Sequence, residues 1–454
     1  MNIPPLAGIC TYEEAAKLGY TVEQNVGYML RYAWVEKLVM EAGLFWMNPT
    51  PEWEVKEAYS LHLWLDTEHA GMFRDRISEM RNPPPRMDVS PDERLDAFFR
   101  ELLTAENTME RVVGLYGVLK PALLAAYKQH LAESNPVIDY PTSRILGIMV
   151  SEEEKMLAWG NQAIAALTEG TDASAVEAWK AHLNAYLQAA GGIRGEQEAP
   201  ASVPASRVKV EFTPDWMPQR DPRFKQTWNF VFPPHEVASA TTPDVDVDER
   251  TLALMCKRTL EMDVPEAMAS MIGRAEGETW EYYRDMCRQL WDEARHAMMG
   301  SIYFENHGID WKQQIALHVA FPLHLNLALS QQESHIVLFA IEQGLMPAKT
   351  GKRYEWETTR LADDPLATLF QDYDWADEVL HAQIGRRWLL PKLTTNVQET
   401  MEKGWQLMST FGVTIGKYED RGEQVNWWPD FVRDTLGRES SMKAYGVIRR
   451  QASA

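Results

Sequence analysis

Cysteine is scarce in this chain, and the patterns by which cysteines usually build sites are missing. The 454 residues include only Cys10, Cys256 and Cys287, an odd number without a CxxC pair. The sequence therefore predicts neither a disulfide framework nor a thiolate zinc site. Such a chain suits a reducing compartment, and we expect a cytoplasmic protein.

Long apolar runs and an excess of basic residues are also missing. No uninterrupted apolar stretch approaches the roughly 18 residues that a bilayer span needs, and the start of the chain has no signal-peptide pattern. The 66 acidic residues outnumber the 45 basic ones, which gives a formal net charge of -21. Because this charge repels phosphate groups and anionic lipids, we expect neither nucleic acid nor a membrane as a partner.

Alternating β-branched runs are scarce outside "VKVEF" at 208–212, whereas helical periodicity dominates. The sequence therefore predicts an all-α fold, and the length favours two domains. The long amphipathic segments form two sets of four: 21–43, 52–81, 92–134 and 142–168, then 248–275, 278–307, 323–345 and 365–390.

A stretch rich in proline and small residues separates the two sets of helices. We predict two tandem four-helix bundles that are joined by a Pro-rich connector. The predicted parts are an N-terminal bundle at 1–190, the connector at 191–246, a metal-binding bundle at 247–410 and a C-terminal tail at 411–454. The tail mixes charged and aromatic residues and could form an oligomer contact, so a homodimer is a candidate assembly.

Two pairs of segments indicate that the halves arose by an internal duplication. "RYAWVEKLVMEAG" (31–43) aligns with "KRTLEMDVPEAMA" (257–269), and "LHLWLDTEHAGMF" (61–73) aligns with "RQLWDEARHAMMG" (288–300). This alignment places Asp66 and His69 opposite the glutamate and histidine of the second half.

The pentad DExxH occurs twice in the second half, at Asp292–His296 and at Asp377–His381. On a helix, residues i and i+3 lie on one face, so Glu293 with His296, and Glu378 with His381, can bind one metal ion or two adjacent ions. A metal-bound imidazole needs a partner for its other nitrogen. In an antiparallel bundle, Asp292 and Asp377 could each support the histidine of the other helix.

A dinuclear carboxylate site needs one more glutamate from each of the other two helices. In the first helix, Glu261 lies level with Glu293 across the turn near residue 277, and Glu266, next to Pro265, is the alternative. In the third helix, Glu333 and Glu342 share a face, so periodicity does not choose between them.

The order Glu, ExxH, Glu, ExxH over 250–390 resembles the ferritin-like di-iron carboxylate superfamily. "DEARH" is similar to the DExRH signature of bacterial multicomponent di-iron monooxygenases, although Leu380 replaces the arginine in the second pentad. "EMDVPEAM", "AIEQGL" and "DEVLHAQIGRRW" are closer to a compact ferritin-like branch related to the tRNA hydroxylase group. In that branch the third-helix ligand resembles the glutamate of an "EARG" or "EARS" segment, which favours Glu342 over Glu333.

The resemblance implies two iron ions, or a manganese and iron mixture, with O₂ as co-substrate. The implied ligands are Glu261, Glu293, His296, Glu342, Glu378 and His381. The expected function is an O₂-dependent oxidation of a small organic substrate by hydroxylation, desaturation or N-oxygenation, with electrons from a reductase or ferredoxin. The alternative is a metal-storage or structural ferritin-like protein without organic turnover.

The N-terminal half keeps only part of this pattern. Its fourth helix has Glu152, Glu153 and Glu154 but no histidine, and its third helix offers Glu106 and Glu110. A half-site of Glu36, Asp66 and His69 is conceivable. The favoured interpretation is that this half has lost the metal and serves as a scaffold, with His69 a core histidine.

Overall fold

The computed structural model describes residues 3–242 and 244–442, and within these ranges the fold contains helices and no strands. The prediction of an all-α chain is therefore confirmed. Residues 208–212, the one β-like stretch of the sequence, are irregular. Among the described residues, no helix combines the length and the apolar character needed to cross a membrane.

The described chain divides into two compact units. The first unit comprises the residues up to Trp46 together with His62–Pro214, and the second comprises Met47–Leu61 together with the residues from Asp215 onward. This division differs from the sequence-based one in two respects. Residues 47–61, which lie within the predicted N-terminal bundle, belong to the second unit. The predicted connector, 191–246, is not a separate body, because its first part belongs to the first unit and its remainder to the second.

The first half of the chain is built mainly from long helices. Their bounds are α1 Tyr12–Ala15, α2 Val22–Met47, α3 Trp53–Met80, α4 Glu93–Leu102, α5 Thr108–Gly114, α6 Lys120–Glu133, α7 Tyr140–Thr168 and α8 Ala173–Ala189. A π-helical turn, Leu115–Leu119, joins α5 to α6. The single helix predicted over 92–134 is thus wrong in detail: α4 ends before a loop, and Asn107 caps a new helix by accepting from the Glu110 amide.

The second half begins with short helices and continues with the elements that carry the candidate site. Their bounds are α9 Pro234–Val237, α10 Val247–Leu260, α11 Asp263–Gly273, α12 Trp280–Asn306, α13 Trp311–Gln314, α14 Ala320–Ala328, α15 Gln331–Gly344, α16 Lys352–Leu361, α17 Pro365–Trp388, α18 Val397–Met408, α19 Phe411–Ile415 and α20 Trp428–Leu436. Part of the predicted tail thus forms α19 and α20, and its residues 443–454 lie outside the described ranges.

Five helices surround the centre of the second unit. Helix α12 packs against α10, α11 and α17, while α15 packs against α11 and α17. Two further helices cover this arrangement, because α16 lies on α10 and α17, and α18 lies on α15. The result is a four-helix bundle in which the first position is shared by the consecutive helices α10 and α11.

The break between α10 and α11 has a sequence cause. Pro265 lacks an amide hydrogen, and its ring would clash with the carbonyl of residue 261 in a continuous helix. Helix α10 accordingly ends with Glu261 as its C-cap residue.

A glycine on α12 lies close to the end of α10. A Cβ atom at Gly300 would collide with the side chain and backbone of Thr259. Glycine at this position therefore permits the close approach of α10 and α12 beside Glu261.

Candidate metal centre

The six side chains predicted as metal ligands lie together in the second unit. Helices α12 and α17 each supply a glutamate and a histidine one turn apart, Glu261 closes α10, and α15 supplies one glutamate. Their possible ligand atoms, together with those of Asp374, form two groups, each spanning at most 4.8 Å. The first group is Glu293, Glu342, Glu378 and His381, and the second is Glu261, His296 and Asp374. We call these seven side chains the second-unit cluster.

Glu293 lies between the two histidines. Its Oε2 atom is 3.4 Å from Nδ1 of His296, and its Oε1 atom is 3.1 Å from Nδ1 of His381. All three side chains are almost completely buried. A carboxylate whose two oxygens face two different imidazoles is placed to bridge a pair of metal ions.

The two aspartates of the DExxH pentads reach across the bundle. Asp377 Oδ2 lies 3.2 Å from Nε2 of His296, and Asp292 Oδ2 lies 3.6 Å from Nε2 of His381. Each histidine therefore directs Nδ1 into the cluster and Nε2 toward an aspartate of the facing helix. Asp377 thus orients the His296 ring by a hydrogen bond, whereas Asp292 faces Nε2 of His381 at a longer distance.

Arg295 connects these two aspartates. Its guanidinium forms ion pairs with Asp292 on its own helix and, at 2.8 Å, with Asp377 on α17. Although burial alone raises the pKa of Asp292, the neighbouring His381 and Arg295 hold it at about 2. One arginine thus serves both pentads, which accounts for the leucine at position 380.

Glu342 is the member that α15 contributes. Gln289 Nε2 donates a hydrogen bond to its Oε1 atom at 3.0 Å. Burial, followed by the negative charge of Glu378, raises the pKa of Glu342 well above its usual range. Burial and the charge of Glu378 therefore disfavour the charged form of Glu342, and a bound cation would stabilise that form.

Asp374 belongs to the cluster but was not predicted. Its Oδ1 atom lies 3.4 Å from Nδ1 of His296. Asp374, Glu378 and His381 follow one another at i, i+4 and i+7 on α17, so they share one helical face. The spacing was visible in the sequence, and a search for acidic residues one turn before each pentad would have found it.

Two buried cations, neither of which was predicted, also contact the cluster. Lys352, the first residue of α16, places Nζ 2.8 Å from both Asp374 Oδ1 and Glu378 Oε1. Arg258 forms ion pairs with Asp374 and, at 2.6 Å, with Glu261. Although burial raises the pKa of Glu378, Lys352 holds it well below its usual range.

The unsatisfied polar atoms of the cluster test whether it fits metal ions. Buried polar atoms without hydrogen bonds cost free energy and are rare in native proteins. Seven such atoms occur here: Oε2 of Glu261, Glu342 and Glu378, Oδ2 of Asp374, Nδ1 of His296, and both Nδ1 and Nε2 of His381. Carboxylate oxygens with two imidazole nitrogens are a donor set for iron or manganese, so the residues fit a metal pair.

The alternative glutamates lie elsewhere in the second unit. Glu266 is buried and forms ion pairs with Lys56 and Arg220. Glu333 is the capping-box residue of α15, and it accepts from the amide and hydroxyl groups of Ser330. The structure therefore brings Glu261 and Glu342, not their alternatives, to the two histidines; their role as ligands stays a prediction.

The first unit contains a smaller cluster that includes the predicted half-site. Glu36, Asp66 and His69 lie together with Glu153 of α7, and their possible ligand atoms are within 4.8 Å of one another. We call these four buried side chains the first-unit cluster. Lys120 of α6 lies beside them, whereas the predicted candidate Glu110 forms an ion pair with Arg207 instead. The other candidate, Glu106, is exposed and is not among these four side chains.

Comparison with known proteins adds no assignment to this geometry. No family model, no curated protein and no solved structure matches the chain.

Proposed function

We propose that the second unit binds two iron ions, or manganese and iron, and uses O₂ to oxidise a small organic substrate. The proposed reactions are hydroxylation, desaturation and N-oxygenation. In this proposal the units are tandem ferritin-like four-helix bundles that arose by duplication. The observation that carries the proposal is the position of Glu293 between the Nδ1 atoms of His296 and His381.

The groups of the second-unit cluster suggest how two ions would be held. Glu261, His296 and Asp374 would bind one ion, whereas Glu342, Glu378 and His381 would bind the other, with Glu293 between them. When reduced, such a pair of ions supplies two electrons to O₂. Carboxylates bind metal ions in terminal and bridging modes. These glutamates could therefore change their binding mode when the charge of the ions changes.

Charge supports cation binding at this place. Five carboxylates of the cluster face two permanent cations, Arg258 and Lys352. An excess of buried negative charge is unfavourable unless protons or metal ions compensate it. Two divalent ions would supply this compensation.

The remaining residues would position the ligands and keep water away from the site. Asp292 and Asp377 hold the histidine rings from outside the cluster, and Arg295 holds both aspartates. The nearly complete burial of Glu293, Glu378 and His381 restricts the access of water. A closed site of this kind favours oxidation of a bound substrate over loss of oxidant to solvent.

The proposal also requires a source of electrons. We find no flavin, nicotinamide or iron–sulfur motif in the sequence. A separate reductase or ferredoxin is therefore the proposed partner unless the substrate itself is the reductant.

The first test is metal content after loading with Fe²⁺ without oxygen, followed by absorbance on admission of O₂. We expect about two ions per chain and an O₂-dependent absorption band in the wild type. The doubly substituted Glu378→Ala, His381→Ala protein should lose both signals because it lacks ligands from α17.

A matched pair on α15 gives the control. Glu342→Gln should lose metal, whereas Glu333→Gln should keep it, because Glu333 only caps the helix. Equal metal content in the two variants would contradict the proposal. Uptake of many more than two ions per chain would instead favour the storage function.

A further inference from the structure

We propose that the first-unit cluster is a site for one divalent transition-metal ion that the ammonium group of Lys120 keeps closed. The proposal concerns Glu36, Asp66, His69 and Glu153 and does not depend on the function proposed for the second unit. Removal of the lysine charge would open the site to a cation such as Co²⁺.

The donor set suits such an ion. Three carboxylates and one imidazole, each at most 1% exposed, place one possible ligand atom apiece within 4.8 Å of the others. Three oxygen donors and one nitrogen donor suit divalent ions of the first transition row. The site would therefore hold one ion, in contrast to the pair proposed for the second unit.

Two atoms of the cluster lack the partners that burial demands. Oε2 of Glu36 and Oε2 of Glu153 are buried and accept no hydrogen bond. Both belong to residues that are completely inaccessible to solvent. Carboxylate oxygens in this state have unused binding capacity directed at the interior of the unit.

Lys120 occupies the place where a cation is needed. Its Nζ atom lies 2.7 Å from Asp66 Oδ1 and 2.8 Å from Glu153 Oε1, so it joins carboxylates of α3 and α7. The side chain is fully buried. Lys120 begins α6 directly after the π-helical turn, a local irregularity that often occurs at functional sites.

Hydrogen bonds from neighbouring side chains orient the possible ligands of the first-unit cluster. His69 directs Nδ1 toward Glu36 at 3.1 Å and Nε2 toward Glu152 at 2.8 Å. The hydroxyl of Tyr127 donates to Glu36 Oε1 at 2.5 Å. The histidine thus has one nitrogen inside the cluster and one on an outer carboxylate, as in the second unit.

The test compares wild type with Lys120→Met, a substitution that keeps most of the length of the side chain and removes its charge. After loading with Co²⁺ and removal of excess metal, we expect the variant to hold about one more ion per chain than wild type. Co²⁺ should also raise the Tm of the variant more than that of wild type, since binding stabilises the folded state. The increment is independent of how much cobalt the second unit takes.

Two control variants separate the site from general charge effects. Lys128→Met removes an exposed lysine of the same helix, which pairs with Glu154, and should leave cobalt content unchanged. Addition of His69→Ala to Lys120→Met should remove the extra ion. An additional ion in wild type that is lost on His69→Ala would overturn the proposal, because the lysine would not close the site.

A second variant guards against poor folding. Lys120→Met combined with Asp66→Asn has one buried carboxylate fewer and still keeps Glu36, His69 and Glu153. We expect this protein also to gain cobalt relative to wild type. If neither variant gains cobalt, the proposal is overturned.

Discussion

The two buried clusters differ in how many cationic groups of the chain face their carboxylates. In the first unit, Lys120 bridges Asp66 and Glu153, and His69, whose pKa is raised, faces Glu36. In the second unit, Lys352 also bridges two carboxylates, and one arginine and two histidines of raised pKa face the five carboxylates. The comparison teaches that one lysine and one histidine face a smaller buried set of carboxylates, whereas a larger set is faced by an arginine and a second histidine as well.

Two buried histidines of the first unit, His69 and His62, differ in the direction in which their pKa is shifted. Burial lowers the pKa of His69, but its bonds to Glu152 and Glu36 outweigh this effect and raise the value to about 10. His62 is also buried in the first unit, but its Nδ1 atom faces the hydroxyl of Tyr116, and burial lowers its pKa to about 3. Proximity to the clustered carboxylates, not burial, thus decides the charge of a core histidine.

The largest expected effect concerns the lysine of the second unit. Lys352→Met should destabilise the metal-free protein by about 3–5 kcal/mol, because Asp374 and Glu378 lose a buried ion-pair partner. Metal loading should recover part of this loss. Urea unfolding with and without metal measures both values.

The neighbouring residue supplies the control for this substitution. Arg353→Met changes an exposed arginine that pairs with Glu357, and its effect should lie within experimental error. If Lys352→Met and Arg353→Met have equal effects in the metal-free protein, Lys352 is not the internal counter-ion and the comparison fails.

A smaller effect is expected at the support of His296. Asp377→Asn should weaken metal binding by about 10–100-fold, because the amide no longer supplies a negative charge to Nε2. Metal titration against a competing chelator measures the change. Asp372→Asn, on the exposed side of the same helix, should keep wild-type affinity, and a similar loss in both variants would speak against a specific role of Asp377.

The smallest effect is a pH dependence from His62. Its pKa is about 3 in the folded protein and near 6.5 when unfolded, so the unfolded state binds more protons between these values. Stability from the neutral ring is therefore complete above pH 6.5 and falls as the pH falls. Between pH 6.5 and 5.5 the wild type should lose about 1 kcal/mol relative to His62→Gln. Parallel unfolding free energies of the two proteins over this range would exclude this contribution.

The sequence predicted the long helices α12 and α17 and the meeting of their two pentads, because both depend on helical spacing. It also predicted that Asp292 and Asp377 would face the opposite histidines. It did not predict the breaks within 248–275 and 323–345. Pro265 marked the position of the break at Glu261. Local spacing therefore carried most of the information about this cluster.

The lysines were not predictable by the same means. Lys352 follows a loop, and its distance along the chain from Asp374 gives no periodic signal. Lys120 stands at the end of a π-helical turn, which shifts the register of the side chains that follow. In both cases tertiary packing, rather than local pattern, decides which cation enters the cluster.

A single residue, Arg295, contacts the aspartates beside both histidines of the second-unit cluster. Because its guanidinium contacts both Asp292 and Asp377, a change at this residue reaches His296 and His381 at the same time. Independent tuning of the two halves by evolution or design would therefore have to begin at the aspartates. The shared arginine therefore couples the two halves of the second-unit cluster.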